Sequence, residues 1–284
     1  QDKVQMVSYA PLIENAAHGK DHLLVLKNDS VYGRTNYYVL KMFSENRPDV
    51  NLHTDLKPAS PEPVFRTNGF IGLGTNNTEA QFKDLKVIVN GEEIYTSGWS
   101  DFVDKWTIIR GDWKTEGNLL SQSQKGIDAL AILEDREFDN CTIELKAKKI
   151  SGTEGFRIVF GGTDPNNYFM ADIGSHTNES VIFREVNNEG SISLFDYRNT
   201  ASIKTDQWYT VRIEIEGAHW KCFLNDELQY EYTYAPKKKH YVVSGYDRER
   251  KEVIVKLVNA EAGNWKVRLQ SVSYTHLTLP TTER

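Results

Sequence analysis

Ala80-Gln81-Phe82-Lys83-Asp84-Leu85-Lys86-Val87-Ile88-Val89 is followed by Asn90-Gly91 and then by Glu92-Glu93-Ile94-Tyr95. Apolar and polar residues alternate along the first run. A strand points successive side chains to opposite faces, so this run is built to bury one face and wet the other. Asn-Gly supplies the two left-handed positions of a two-residue turn, so the stretch reads as a β-hairpin. Working outward, similar runs recur at Thr142 to Lys148, Phe156 to Phe160, Tyr168 to Ile173, Val181 to Glu185, Trp208 to Glu216 and Trp220 to Leu224. The last two flank Gly217-Ala218-His219, a second hairpin signal. Short strands separated by turns predict a mainly β chain built on an antiparallel β-sandwich.

The pattern changes at both ends of this region. Lys57-Pro58-Ala59-Ser60-Pro61-Glu62-Pro63 reads as an extended linker. Before it, Val4 to Ala10 is a short apolar run that suits a buried parallel strand, and Pro11 stops it because proline cannot donate to a ladder. Thr35 is placed to cap a helix with Tyr37, Leu40 and Phe43 on its apolar side, ended by Arg47-Pro48-Asp49. The expected organisation is a β/α segment over 1–46, one β-sandwich formed from 47–63 and 238–270, and a second sandwich inserted at 64–237. An insertion of that kind costs little closure entropy, because the cost grows slowly with loop length.

Three blocks resemble glycoside hydrolase family 51, the α-L-arabinofuranosidases. Val4-Gln5-Met6-Val7-Ser8-Tyr9-Ala10-Pro11-Leu12-Ile13-Glu14-Asn15 is similar to the family's eighth barrel strand. Val31-Tyr32-Gly33-Arg34-Thr35-Asn36-Tyr37-Tyr38-Val39-Leu40-Lys41-Met42-Phe43-Ser44-Glu45-Asn46 is similar to the following loop and helix. Glu252 to Asn259 is similar to a strand of the β-sandwich after the barrel. His18-Gly19-Lys20 departs from a tryptophan common in relatives. The resemblance implies that 1–46 is the remnant of a (β/α)8 catalytic barrel. It also implies that the parent is a retaining enzyme whose two catalytic glutamates precede Gln1. The middle region resembles concanavalin-like laminin-G modules through Gly111-Asp112-Trp113-Lys114, Gly155 to Phe160 and Trp208 to Ile215. Gly69-Phe70-Ile71-Gly72-Leu73-Gly74-Thr75 with Phe82-Lys83-Asp84-Leu85 usually closes such a module, yet here it opens it. Either the module is permuted or this piece pairs with a neighbouring sheet. Val272 to Thr282 resembles a translated sequencing-library adaptor, so 271–284 is expected to carry no evolved structure.

Composition narrows the partners. The chain has 284 residues with 34 lysines and arginines against 40 acids, a net charge of −6. The charges are interspersed, which argues against nucleic acid as a partner, and Lys237-Lys238-Lys239 reads as a solvated linker. No apolar run reaches the ~20 residues of a membrane span. No phosphate-cradling loop, nucleophile elbow or paired histidine spacing is present, so no cofactor and no metal are expected. Cys141 and Cys222 lie in strand-like runs and are expected as two buried thiols. Asn28, Asn76, Asn140 and Asn178 open glycosylation sequons. The implied ligand is an arabinose-containing polysaccharide or oligosaccharide, with an extracellular or periplasmic location.

No catalytic residue is assigned within the chain. Glu14, Glu92-Glu93 and Glu134-Asp135 are acids by type only, and a solvated surface acid is the plainer reading of each. Asn15 follows the expected barrel strand. Active sites of such barrels lie at strand C-termini, so Asn15 could border the sugar pocket or simply bond its own loop. Sugars stack their C–H faces on aromatic rings. Trp99 and Trp106, nearer predicted loops, are therefore the candidate carbohydrate-stacking residues, whereas Trp208 and Trp220 are expected in the core. Thr163-Asp164-Pro165-Asn166-Asn167 carries oxygen ligands but reads better as an Asp-Pro turn than as a calcium loop.

Overall fold

The computed structural model describes residues 12–15, 23–27, 30–57, 65–188, 190–194, 202–261 and 263–270. The chain divides into two compact units, Gln1–Glu62 with Lys237–Arg284, and Pro63–Pro236. The run Val4 to Ala10, the linker prolines and the 271–284 tail lie outside the described residues.

The first unit opens with β1 (Ile13–Asn15), β2 (Leu24–Lys27) and β3 (Ser30–Gly33), in which β1 runs parallel to β2 and β3 antiparallel to it. Helix α1 (Thr35–Glu45) follows. Thr35 does not cap it: Arg34 occupies the cap position in extended backbone, and Thr35 is already in the first turn. Tyr37 and Phe43 are half-buried as their spacing predicts, but Leu40 is exposed. The Asn46 side-chain amide donates to the Met42 carbonyl at 2.9 Å, satisfying one of the acceptors left open where a helix ends. Strand β4 (Val50–Leu52) then joins a sheet whose other members come from the far end of the chain.

The second unit is the sandwich. Its elements are β5 (Asn68–Asn76), β6 (Thr78–Val89), β7 (Glu92–Ser97), the one-turn α2 (Phe102–Lys105), β8 (Trp106–Arg110), β9 (Trp113–Glu116), β10 (Leu119–Gln122), β11 (Asp128–Asp139), β12 (Cys141–Gly152), β13 (Phe156–Asp164), β14 (Asn167–Gly174), β15 (Ser180–Asn187), β16 (Gly190–Leu194), β17 (Trp208–Glu216), β18 (His219–Leu224) and β19 (Glu227–Thr233). They form a seven-stranded sheet in the order β16-β15-β14-β13-β5-β11-β8 and an eight-stranded sheet in the order β19-β18-β17-β12-β6-β10-β9, with β7 also on β6. The named strands of this unit pair antiparallel. The Asn90-Gly91 hairpin forms with both residues at positive φ, 53° and 83°, as a right-twisted two-residue turn requires. The opening piece does not reach to a neighbouring sheet: β5 sits between β13 and β11, and β6 between β12 and β10, at the centre of their own sheets.

The core lies between the sheets. Ile71, Leu73, Ile158, Phe160, Ile173 and Phe183 face inward from one sheet and meet Phe82, Leu85, Val87, Ile143, Val211, Ile213 and Trp220 from the other. Trp220 is central. Its ring lies 5.0 Å from Phe160 and 5.6 Å from Phe183, both edge-on, and its Nε1 donates to the Thr67 hydroxyl at 2.8 Å. That bond lets a polar indole be buried without an unmet donor. Cys141 and Cys222 are free, buried thiols, as expected.

The chain then returns to the first unit through β20 (His240–Asp247) and β21 (Glu252–Asn259). These form a three-stranded sheet, β21-β20-β4. The hydroxyls of Thr54 and Ser244, 190 positions apart, share a 2.6 Å hydrogen bond. Among the described residues this is one sheet with α1 against β21, rather than a sheet pair.

Candidate functional site

The outward face of the seven-stranded sheet carries a polar network that spans several strands. Strand alternation assigns its members. Ile71 and Leu73 enter the core, so Phe70, Gly72, Gly74 and Asn76 face outward from β5. On β13, Ile158 and Phe160 are core, which turns Arg157 and Val159 outward. On β14 the outward set is Tyr168, Met170 and Asp172, and on β15 it is Ile182, Arg184 and Val186. Register then brings charges together. Arg157 stands opposite Gly74 on one side and Asp172 on the other, and Arg184 stands opposite Met170 and Ser193. A Cβ at Gly74 would sit 2.7 Å from the Ala129 carbonyl, so only glycine fits. The central strand therefore leaves a floor without side chains beside Arg157.

Asp172 is the hub. It is 1% exposed and accepts from Arg157 Nε at 3.2 Å, Arg157 Nη2 at 3.3 Å and Arg184 Nε at 2.6 Å. Arg184 donates its remaining nitrogens to the Ser193 hydroxyl at 2.8 Å and the Ser175 hydroxyl at 2.9 Å. Arg157 Nη1 donates to Asp128 at 2.6 Å, and its Nη2 lies 3.8 Å from Glu154. Glu154 in turn accepts from the Asn76 amide at 3.1 Å. Charges taken out of water must be paired, and here Arg157 meets Asp172 through two nitrogens in a fork while Arg184 meets it through Nε alone. Asp128 is the open end of the chain, with its side chain 60% exposed. Leu130, Ile132, Val159 and Met170 form a small apolar cluster beside it, with Phe70 and Tyr168.

Burial sets the protonation. Desolvation raises the Glu154 pKa above the usual glutamate value, and the charge of Asp172 adds to it, while Arg157 opposes. Desolvation likewise raises that of Tyr168, against the pull of Arg110 and Arg157. For Arg157 itself burial disfavours the cation, but Asp172 and Asp128 outweigh it and the guanidinium stays charged. The face thus holds fixed cations and carboxylates beside a buried apolar cluster. Sugar hydroxyls both donate and accept, so the exposed Asp128 carboxylate at the edge of this network can hydrogen-bond a polyol, while the apolar cluster beside it is itself buried.

The residues singled out from sequence lie elsewhere. Asn15 closes β1 opposite Leu26, exposed. Trp99 and Trp106 are not open stacking platforms: they are 1% and 5% exposed. Trp99 takes a positive φ of 67°, which folds its indole against Phe102 and Trp106. Trp106 Nε1 donates to the Tyr95 hydroxyl at 3.0 Å. Position near a loop did not keep them wet, because a short helix closes over them and burying two indoles is strongly favourable. Trp208 departs in the other direction. Tyr209, Val211, Ile213 and Ile215 take the inward positions of β17, so Trp208 lies half-buried on the outer face of the eight-stranded sheet. The Asp164-Pro165 segment is a turn, in which Asp164 accepts from the Asn166 amide at 2.8 Å. Glu134 and Asp135 fall within β11, where its register shifts.

Arg157, Asp172 and Arg184 were missed. Each is the one ionised residue in a run that is apolar on both faces, as in Phe156-Arg157-Ile158-Val159-Phe160 and Val181-Ile182-Phe183-Arg184. A charge in such a run needs a partner on a neighbouring strand, and that is the signal available in the sequence.

Fold and face together define an antiparallel β-sandwich module whose seven-stranded sheet carries a preorganised, mostly buried ion-pair network that opens to solvent at Asp128. The family model described as the alpha-L-arabinofuranosidase C-terminal domain matches residues 1–220, and the chain belongs to that family. An extracellular exo-alpha-L-arabinofuranosidase from Streptomyces chartreusis is 26% identical over 266 residues, covering 92% of this chain and 32% of that protein. The chain therefore spans about a third of the length of this curated relative. Among solved structures, carbohydrate binding module CBM66 from Bacillus subtilis aligns with 46% of this chain and 81% of its own, at 21% identity and a TM-score of 0.40. No helix among the described residues is long and apolar enough to cross a membrane.

Proposed function

We propose that this chain is the C-terminal part of an extracellular, retaining α-L-arabinofuranosidase, and that its sandwich unit holds carbohydrate for that enzyme. The parent would release terminal arabinofuranosyl residues from arabinan, arabinoxylan or arabinogalactan side chains. Retention needs two carboxyl groups about 5–5.5 Å apart, one as nucleophile and one as acid and then base. In this reading both belong to the barrel, of which 1–46 is the last unit and where Asn15 borders the pocket. The segments 47–63 and 238–270 belong to the enzyme's own β-sandwich, and the chain alone performs no hydrolysis.

The observation that carries the binding role is the network centred on Asp172, with two guanidiniums fixed on a carboxylate that is 1% exposed, on an outward sheet face. A purely structural face would be cheaper to build from apolar residues, because buried ion pairs contribute little net stability. Fixed donors and acceptors are useful when a ligand with many hydroxyls must be oriented.

Calorimetric titration of the chain with arabino-oligosaccharides tests the binding role. Asp128→Asn and Glu154→Gln should each weaken binding at least about fivefold, a typical loss for a removed charge-assisted hydrogen bond. Lys221→Gln, on the opposite sheet, should not. Equal binding by all variants would overturn the site. Release of nitrophenol from a nitrophenyl arabinofuranoside by the chain alone, abolished by mutating one of its own glutamates, would overturn the assignment of catalysis to the missing barrel.

A further inference from the structure

We propose a second saccharide site on the opposite side of the sandwich, built on Trp208, Lys83 and Lys148 and selective for sugars that carry a carboxylate. The outer face of the eight-stranded sheet is divided by charge. At one end the charges are matched: Lys86 pairs with Glu93, and Arg212 with Glu214. At the other end they are not. Trp208 stands opposite Lys148, and Lys146 stands opposite Lys83 on the next strand. The Lys83 ammonium lies 4.3 Å from the centre of the Trp208 ring and that of Lys148 lies 5.1 Å from it. Neither has a carboxylate within ion-pair distance among the described residues; Asp84, next to Lys83, lies 3.6 Å from Lys146 and accepts from Asn118, and Glu79, at the start of β6, lies 3.4 Å from Lys125.

This arrangement has a local origin. Asp84 adopts a positive φ of 56°, and the pairing of β6 with β12 shifts register there, between Lys86 opposite Glu144 and Lys83 opposite Lys146. The bulge directs Asp84 toward Lys146 and Asn118 and leaves Lys83 to lean over the indole. Two ammonium groups over one ring repel each other. The ring quadrupole offsets part of that repulsion, and an anion set between them would offset the rest. A net charge of −6 for the whole chain makes this concentration of cations a local feature rather than a general one.

The chemistry selects the ligand. A carboxylate would pair with Lys83 and Lys148, and the sugar ring that bears it would lie along the half-buried indole. Neutral sugars lack the first contact, and simple anions lack the second. A uronate-bearing polysaccharide supplies both, so the two outer faces would engage different stretches of one mixed polymer. This site does not depend on the Asp172 face and uses none of its residues.

The test is titration of the full chain with an oligogalacturonate at low and high salt, followed by tryptophan fluorescence. Binding should quench the Trp208 emission, weaken as salt rises, and fall at least about tenfold in Lys83→Gln/Lys148→Gln, a loss on the scale of one lost charge contact. Trp208→Leu should reduce affinity and remove the quenching. Lys86→Gln, at the charge-matched end of the same face, should leave oligogalacturonate binding unchanged, which places the site at the Trp208 end. Absence of binding at low salt, or unchanged affinity in the double lysine variant, would overturn the proposal. Equal affinity for a polyphosphate or single-stranded DNA would also overturn it, by showing a basic surface without sugar recognition.

Discussion

Asp172→Asn removes one charge and little volume, so its effect isolates the electrostatics of the candidate face. Wild-type Asp172 accepts three guanidinium hydrogen bonds while 1% exposed. In the variant Arg184 keeps only hydroxyl partners among the described residues, Ser193 and Ser175. Arg157 keeps Asp128 and, at 3.8 Å, Glu154. Removing one partner of a buried pair costs about 3–5 kcal/mol, and the partners left to Arg157 place this case near 3. For a unit the size of Pro63–Pro236, each kcal/mol lowers Tm by about 2–4 °C, so a fall of about 6–12 °C is expected in calorimetry. Asp128→Asn is the control. Its side chain is 60% exposed, and the loss should stay below about 1 kcal/mol. Adding Arg184→Met to Asp172→Asn should restore part of the stability, because the stranded cation is then gone. If Asp172→Asn costs no more than Asp128→Asn, the network is solvated and the argument for a preorganised face fails.

Other outcomes follow from the same structure. Trp106→Ala should destabilise the sandwich by about 3–5 kcal/mol in urea unfolding, yet leave the affinity of the folded fraction for arabino-oligosaccharides unchanged. Gly162→Ala would set a Cβ 2.2 Å from the Phe70 ring, and overpacking of this kind should cost about 1–3 kcal/mol. The folded-state pKa of Glu154 lies above its unfolded value, so the native state holds its proton more tightly. That contribution is complete below the ordinary glutamate range and is lost as pH rises through the raised value. Glu154→Gln should therefore flatten the fall of Tm across that window and change little below it. Burial raises the Cys222 thiol furthest and pushes Cys141 up to about 12. A thiol-specific disulfide reagent at neutral pH should therefore label neither until the chain is unfolded.

Some of the fold was written locally. The Asn90-Gly91 turn needs only its own two residues to reach positive φ, and the alternation of Ala80 with Phe82, and of Leu85 with Val87, marks the buried face of β6 on either side of the Asp84 bulge. The arabinofuranosidase resemblance rested on short blocks that do not require the whole chain, and the family match agrees with it. The aromatic assignments failed where they depended on neighbours. Trp99 and Trp106 border a loop, but the loop folds inward over them, whereas Trp208 borders a strand and points out.

What the sequence determined by itself was the class of structure and the family. Strand periodicity, turn chemistry and family blocks are all local in the chain. Only the tertiary structure decided which charges meet. Arg157, Asp172 and Arg184 occupy three different strands, and Lys83, Lys148 and Trp208 occupy three others. Their contacts depend on strand order and register, and a shift of one residue would send each side chain to the other face. That order comes from burying the shared core between two sheets, a condition no single segment can satisfy.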